Sequence, residues 1–500
     1  MRKQLASWFL MIVFVMLLAR AVAQVAATSP DGKQQPAPTG VASKVCARCI
    51  RAHEEFLASD AMQGRGSGTR DELVAATYVA AELRQYGIEP AGDNGSYIQR
   101  VPIIQRKITS PPQLRITPTG GAPSAEPIRW EYGKEFLVVV LTQTEFSGPL
   151  RKLDADKISG QGNPTVERGA VVLITGSDQR KVRQAAFSAA SAGAVATLVF
   201  ARDSQLKNFE EAGKQLPKLP ARLEGDSARD MDFNVLSLSR DAFHSLEHVP
   251  DGAIVQFKAP SSEEKGSTWN AVGILRGSDS SLQHAAIVFS AHLDHLGIGT
   301  PVNGDNIYNG ADDDASGTTA VLEIARVLGR GRRPRRTVIF ALFGSEEMGG
   351  LGSSYFREHP PVPLKEIAAN LEFEMIGRPD AAVKDDTVWL TGWERSNLGP
   401  VLAAHGARLV ADPHPGEDFF ARSDNFVLAK KGVVAQTISS YGLHQDYHQP
   451  SDDLAHLDFK HIDAAMGSLL TPLEWLVNSN FQPKWNAGGE ALEQHLAFGT

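Results

Sequence analysis

The chain reads as an α/β protein: a mixed, mostly parallel sheet flanked by helices on both faces, with a small β-rich unit inserted into it. Three observations carry that reading. Near-continuous apolar runs recur between residues 269 and 438, separated by amphipathic segments, as expected of strands covered on both faces. Between about Val138 and Lys258 the texture changes to short β-rich runs. Polar groups able to bind ligands follow the C-terminal ends of the later apolar runs, the edge at which open α/β sheets bind ligands.

The expected strands of the main sheet are W-N-A-V-G-I-L (269–275), A-A-I-V-F-S (285–290), T-V-I-F-A-L-F (337–343), N-L-E-F-E-M-I (370–376), T-V-W-L (387–390) and V-V-A-Q-T-I (433–438). Val321, Ile324, Ala325 and Leu328 fall at i, i+3, i+4 and i+7 and predict one apolar helical stripe. Upstream, residues 48–86 read as helical, with Phe56, Leu57, Leu73, Tyr78, Val79, Ala80 and Leu83 as candidate core. The turn P-A-G-D-N-G-S (90–96) ends that unit. In the insertion the strands are F-L-V-V-V-L (136–141), G-A-V-V-L-I (169–174), A-T-L-V-F (196–200) and A-I-V-Q-F (253–257). An Ala-rich helix closed by Gly193 lies between the second and third.

With 500 residues the chain exceeds a single core, so two domains are the natural expectation. Apolar residues at 42% and charged ones at 22% describe an ordinary globular protein, and a net charge of −8 argues against nucleic acid as a partner. Arg2 and Lys3, the apolar run Trp8 to Leu18 and the small residues Ala21-Val22-Ala23 form an export signal expected to be cleaved after Ala23. The run is shorter than the roughly 20 apolar residues a membrane span needs, so no stable membrane insertion is expected after cleavage. Export to the periplasm or the medium follows. Cys46 and Cys49 are the only cysteines. No second Cys or His pair follows them at zinc-binding spacing, and in an oxidising compartment a local disulfide is open to them. They are read as structural or incidental.

The chemistry gathers in five blocks: S-A-H-L-D-H (290–295), N-G-A-D-D-D-A-S-G (309–317), F-G-S-E-E (343–347), L-E-F-E-M-I-G (371–377) and D-Y-H-Q-P-S-D-D (446–453). Imidazole and carboxylate donors without thiolate suit a catalytic Zn²⁺ or Mn²⁺ site rather than a structural one. Three consecutive aspartates in a strand-to-helix loop exceed what a helix cap requires. Glu346-Glu347 follows the strand-like run T-V-I-F-A-L-F (337–343) after only Gly344 and Ser345. Neighbouring carboxylates point in different directions, so one can hold a metal while the other takes a proton from water. His292 and His448 are the imidazole candidates, but His295 and His444 lie close by, and spacing alone does not separate them. Glu374 and Glu372 likewise share a strand face and compete.

The combination H-x-D, G-A-D-D-D-A-S-G, S-E-E and D-Y-H-x-P-S-D resembles the di-zinc exopeptidases that include secreted bacterial leucine aminopeptidases and, more distantly, glutamate carboxypeptidase II and the glutaminyl cyclases. The likeness extends to F-L-A-S-D-A-M-Q-G-R-G-S-G-T (56–69) and G-D-N-G-S-Y (92–97), and the insertion resembles a protease-associated domain. The resemblance implies the zinc-exopeptidase fold and two Zn²⁺ ions, replaceable by Mn²⁺ or Co²⁺. His292 and Glu374 would hold one ion, Glu347 and His448 the other, and Asp313 would bridge them. It implies Glu346 as the general base activating a metal-bridging water, Asp294 as a carboxylate orienting His292, Tyr447 as an oxyanion donor, and a cis peptide at Asp313-Asp314. One position departs: relatives usually carry Asp where this chain has Glu374, and adjacency to Met375-Ile376-Gly377 favours Glu374 over Glu372.

The expected organisation is export signal 1–23, disordered linker 24–47, first part of the peptidase domain 48–134, inserted domain 135–261, metal-binding catalytic part 262–480 and tail 481–500. The leading function is an exported aminopeptidase acting on peptides with a free N-terminus. A carboxypeptidase of the same fold is the nearest rival, a glutaminyl cyclase lies further off, and a receptor-like binding protein would have lost ligands that are all present here. The basic run Arg330 to Arg336 reads as a solvated loop, and oligomeric state is not encoded in any motif.

Overall fold

Residues 286–292 and 338–343 are buried at every position, so both faces of these strands must be covered. They lie at the centre of a ten-stranded sheet in a computed structural model that describes residues 45–119, 126–158, 166–207, 209–226 and 233–491. The expected export signal (1–23), nearly all of the expected linker and residues 492–500 lie outside the described residues.

The main strands are β1 (Ile98–Ile108), β2 (Arg222–Leu223), β3 (Ser261–Leu275), β4 (Ala286–His292), β5 (Val338–Phe343), β6 (Ile367–Phe373), β7 (Val388–Leu390), β8 (Leu409–Ala411) and β9 (Val434–Ser439). Their spatial order is β8-β7-β9-β6-β4-β5-β3-β1-β2, with Glu89–Pro90 pairing onto β3. The sheet is mixed. β5, β4, β6 and β9 run parallel at its centre. Antiparallel β3, β1 and β2 extend one side, and β7 meets β9 antiparallel on the other.

Alternate residues feed opposite faces. Ile287, Phe289 and Ala291 join the core under helices α1 (Ala47–Leu57), α2 (Arg70–Gln85), α3 (Gly317–Arg330) and α5 (Phe459–Asn478). Val288, Ile339, Ala341 and Phe343 pack on the other face with Phe356 of α4 (Leu351–Glu358). The single stripe expected on α3 understates its burial. Every residue from Gly317 to Leu328 is buried, because α1 and α5 pack over the helix as well. Its one acidic residue, Glu323, accepts from Arg326 Nε at 2.6 Å and from the Cys46 amide at 2.7 Å. Cys46 and Cys49 are joined as a disulfide at the start of α1.

The helical segment 48–86 holds two α-helices, α1 and α2. The chain turns between them at Gly64, where φ is +66° and a Cβ would lie 2.3 Å from the Tyr308 carbonyl oxygen. Arg65 follows, fully buried, and donates to the carbonyls of Leu57, Leu293, Asn309 and Gly310 at 2.7–3.0 Å. One guanidinium therefore ties together the loops after β4 and before the acidic run. An eight-stranded second sheet spans residues 113–258 with its own apolar core. The expected boundary at residue 135 falls inside it, because Gln113–Thr117 and Ile128–Glu131 already pair there. The insertion also returns β2 to the edge of the main sheet. Residues 481–491 are no loose tail. Lys484 N donates to Asn397 at 2.9 Å, Asn486 N to Arg395 O at 2.7 Å, and Trp485 meets Phe420 edge-on.

Candidate metal centre

All five blocks converge at the C-terminal edge of the parallel strands. His292 is the last residue of β4, and its Nδ1 faces the Asp294 carbonyl oxygen at 3.2 Å. A carbonyl can only accept, so Nδ1 carries the proton and Nε2 presents a lone pair. The Asp294 carboxylate, expected to orient His292, lies 3.8 Å from that nitrogen, an ion-pair distance without a hydrogen bond. It instead accepts from Ser67 Oγ at 2.5 Å and from the amides of Glu346 and Glu347 at 3.0 and 3.3 Å. Asp294 thus fixes the loop carrying both glutamates. Glu72, on α2, steadies the same loop by accepting from the Ser345 amide at 2.8 Å.

The three aspartates divide their work. Asp312 accepts from the Gly377 amide at 2.7 Å and pairs with His444 at 3.0 Å, which removes His444 from the centre. Asp314 accepts from the amides of His292, Gly317 and Met375 at 3.0–3.2 Å. Only Asp313 faces the cavity centre, its amide held by Asp452 at 3.0 Å, and the Asp313-Asp314 peptide is cis.

Around Asp313 the donors gather in two groups, His292 with Glu374 and His295 with Glu347. His292 Nε2 lies 3.1 Å from Asp313 Oδ1. On the other side His448 Nε2 is 3.3 Å from Asp313 Oδ2 and 3.2 Å from Glu347 Oε1, so His448 belongs with the second group by distance. His295 Nδ1 is 2.9 Å from the same Glu347 oxygen. Yet His292 Nε2, Glu347 Oε1 and both ring nitrogens of His295 are buried without a hydrogen-bond partner. Buried polar atoms are ordinarily paired, so lone pairs aimed at one small volume fit divalent cations. The donor set of imidazole and carboxylate, without thiolate, suits zinc. His295 is the residue the spacing argument left undecided. It sits just beyond β4, its ring 5.6 Å from that of His448. Asp424 escaped the sequence reading because S-D-N is an unremarkable tripeptide. It is buried on the cavity wall, held by Ser353 at 2.5 Å with Oδ2 unpartnered.

Glu372 is excluded as a donor by its own bonds. It accepts from Ser423 Oγ at 3.0 Å, the Asn425 amide at 2.7 Å and Thr437 Oγ1 at 3.0 Å. Glu374→Ala should weaken zinc by at least the about 10- to 100-fold that loss of a supporting hydrogen bond costs. Glu372→Ala should leave zinc affinity in place and cost about 1–3 kcal/mol of stability through the stranded donors. Competition with a chelator and thermal unfolding measure the two effects, and metal loss confined to Glu372→Ala would reassign the ligand.

The crowded carboxylates leave a signature in pH. Burial, then the Glu372 charge, pushes Glu374 up to about 8. Burial, then the Asp424 charge, pushes Glu372 up to about 7, and burial does the same to Asp424. Despite its burial, His448 is raised to about 10 by Asp313 and Glu347. Burial and the Asp313 charge oppose ionisation of Glu347, but His295 and His448 hold it down at about 2. Groups raised in the fold stabilise it below their unfolded values and lose that contribution as pH climbs through 7–8. Glu347, being depressed, contributes constantly over that window. Metal-free protein should therefore melt at a lower temperature at pH 8 than at pH 5.5, and a flat or opposite trend would contradict this arrangement.

Residues 270–471 match the family profile described as Peptidase family M28. The matched segment holds every candidate metal-binding side chain, from His292 to His448. The chain is 26% identical over 323 residues to Aminopeptidase YwaD of Bacillus subtilis (strain 168), an alignment covering 61% of each chain. It is 32% identical over 166 residues to Aminopeptidase NAALADL1 of Rattus norvegicus, covering 32% of this chain and 20% of that one. Both alignments span less than two thirds of the relative's own length. Among solved structures, an aminopeptidase from Aneurinibacillus sp. strain AM-1 superposes with a TM-score of 0.55 at 17% identity, covering 88% of this chain and 96% of its own. That likeness concerns the fold: a mixed α/β architecture with helices on both faces of the sheet.

Proposed function

We propose that this chain is an exported two-metal aminopeptidase, its insertion a protease-associated domain, removing N-terminal residues from peptides. One observation carries the reading: buried, unpartnered imidazole and carboxylate atoms converge on Asp313 from both sides. His292 and Glu374 would hold one ion and Glu347 and His448 the other, with Asp313 between them and His295 beside Glu347. Two such ions supply Lewis acidity to the scissile carbonyl and to the attacking water. Glu346, on the cavity wall, takes a proton from that water as it adds to the carbonyl carbon, and passes it to the leaving nitrogen as the C–N bond breaks. Tyr447, on the same wall and stacked on His448 at 3.9 Å between ring centroids, donates a hydrogen bond from its hydroxyl to the developing oxyanion and keeps its proton.

The end of the peptide that is read follows from charge. Glu346, Glu374 and Asp424 line the mouth with carboxyl oxygens, acceptors for the N–H groups of a free α-ammonium. A carboxypeptidase would need a basic clamp, and the nearby arginines are engaged. Arg378 is bound to Asp446 through both terminal nitrogens at 2.9 Å, while Arg422 lies 3.8 Å from Glu417 and over the Phe419 ring. Acetylating the N-terminus of a tripeptide should abolish cleavage, and amidating its C-terminus should change kcat/KM by less than about twofold, within the noise of a weak surface charge. The reverse pattern would make the enzyme a carboxypeptidase.

A further inference from the structure

A cleft of about 2020 Å³ joins the metal-binding side chains to the inserted sheet. Its lining includes Asp313, Glu346, Glu347 and Glu374, and also Lys107 and Lys218. These lysines face each other across an isolated antiparallel bridge. Like charges directly opposite are destabilising. Neither lysine has an ion pair or side-chain hydrogen bond among the described residues, and Glu264, on the same face of the ladder as Lys107, does not pair with it. The cleft therefore carries negative charge beside the scissile bond and an uncompensated cationic pair elsewhere on its wall.

Strand register gives the separation. Ala271 of β3 is level with Leu342 of β5, which is level with Ala291 of β4, next to His292. Lys107 of β1 pairs with Ser262, nine residues along β3 from Ala271, in the direction in which β4 and β5 end. At about 3.3 Å per residue that is roughly 30 Å along the strands, which an extended peptide spans in about six to nine residues once the reach of the lysine and substrate side chains is included. Val139, Leu216 and Ile298 also line the cleft and are 44%, 38% and 58% exposed, apolar surface that a peptide chain would cover.

We propose that Lys107 and Lys218 form a distal subsite for a carboxylate carried by the peptide substrate about six to nine residues after its N-terminus. Resting on the aminopeptidase reading above, this makes acidic oligopeptides the favoured substrate class. The carboxylate can come from an Asp or Glu side chain or from the C-terminus of a peptide of that length.

The test uses amidated decapeptides with a free N-terminus and a single Asp moved from position 3 to position 9, each beside its Asn counterpart, and free-acid octapeptides beside their amides. Affinity is read by fluorescence anisotropy on Glu346→Gln protein, hydrolysis on the unmodified enzyme. Asp at positions 6–9 should strengthen binding by about threefold to tenfold over Asn, Asp at position 3 should not, and 0.5 M salt should erase the difference. A preference seen only between octapeptide acid and amide would assign the subsite to the terminal carboxylate. In Lys107→Glu/Lys218→Glu the preference should turn to Lys at those positions, and in the milder Lys107→Gln/Lys218→Gln it should vanish. Equal affinity for acidic and neutral peptides at every position, or a preference that survives both double variants, overturns the subsite. Selective binding without any hydrolysis would retain the subsite and refute the aminopeptidase reading.

Discussion

Glu346→Gln should keep its metals and lose hydrolysis by about 10²-fold or more, the contribution of a well-placed general base. The neighbouring Glu347→Gln should instead lose metal. The two residues share one anchor, since both amides donate to Asp294, but their side chains diverge. Glu347 Oε1 turns to His295 and His448 at 2.9 and 3.2 Å, within the donor cluster. Glu346 lies on the cavity wall and stands outside both donor groups. Glutamine there preserves size and burial but cannot accept the water proton, so kcat should fall while metal content and melting temperature hold. Equal metal loss in both variants, with turnover surviving in Glu346→Gln, would reverse the assignment.

Much of this site was legible because its residues come in blocks tied to strand ends. Phe343 ends a buried strand, so Glu346 and Glu347 had to emerge at the ligand-binding edge, and His292 terminates β4 by the same logic. What the sequence withheld depends on side-chain direction. His295 and His444 are equally near the motifs, yet one ring is buried beside Glu347 and the other is taken by Asp312. Glu372 and Glu374 share a face of the strand, and only the neighbours of Glu372 show it to be occupied. Asp294 was legible as a supporting residue but not in its partners, because its carboxylate reaches across to amides fifty residues away in sequence. The insertion boundary was missed for another reason. Residues 113–117 and 128–131 are short strands whose membership depends on pairing with 254–258, a distant contact invisible to local pattern.

Metal removal has the largest expected effect of all. With the ions gone, Asp313, Glu374, Glu347 and the imidazoles are left as a buried cluster of mutually interacting groups with no Lewis acid among them. The most direct test of the central claim is to titrate zinc into chelator-stripped protein while measuring bound metal and hydrolysis of a free-amine peptide in the same samples. Hydrolysis should be undetectable without metal, return on addition of zinc, and level off at two tightly bound ions per chain. Full activity in protein shown to contain no metal would contradict the account.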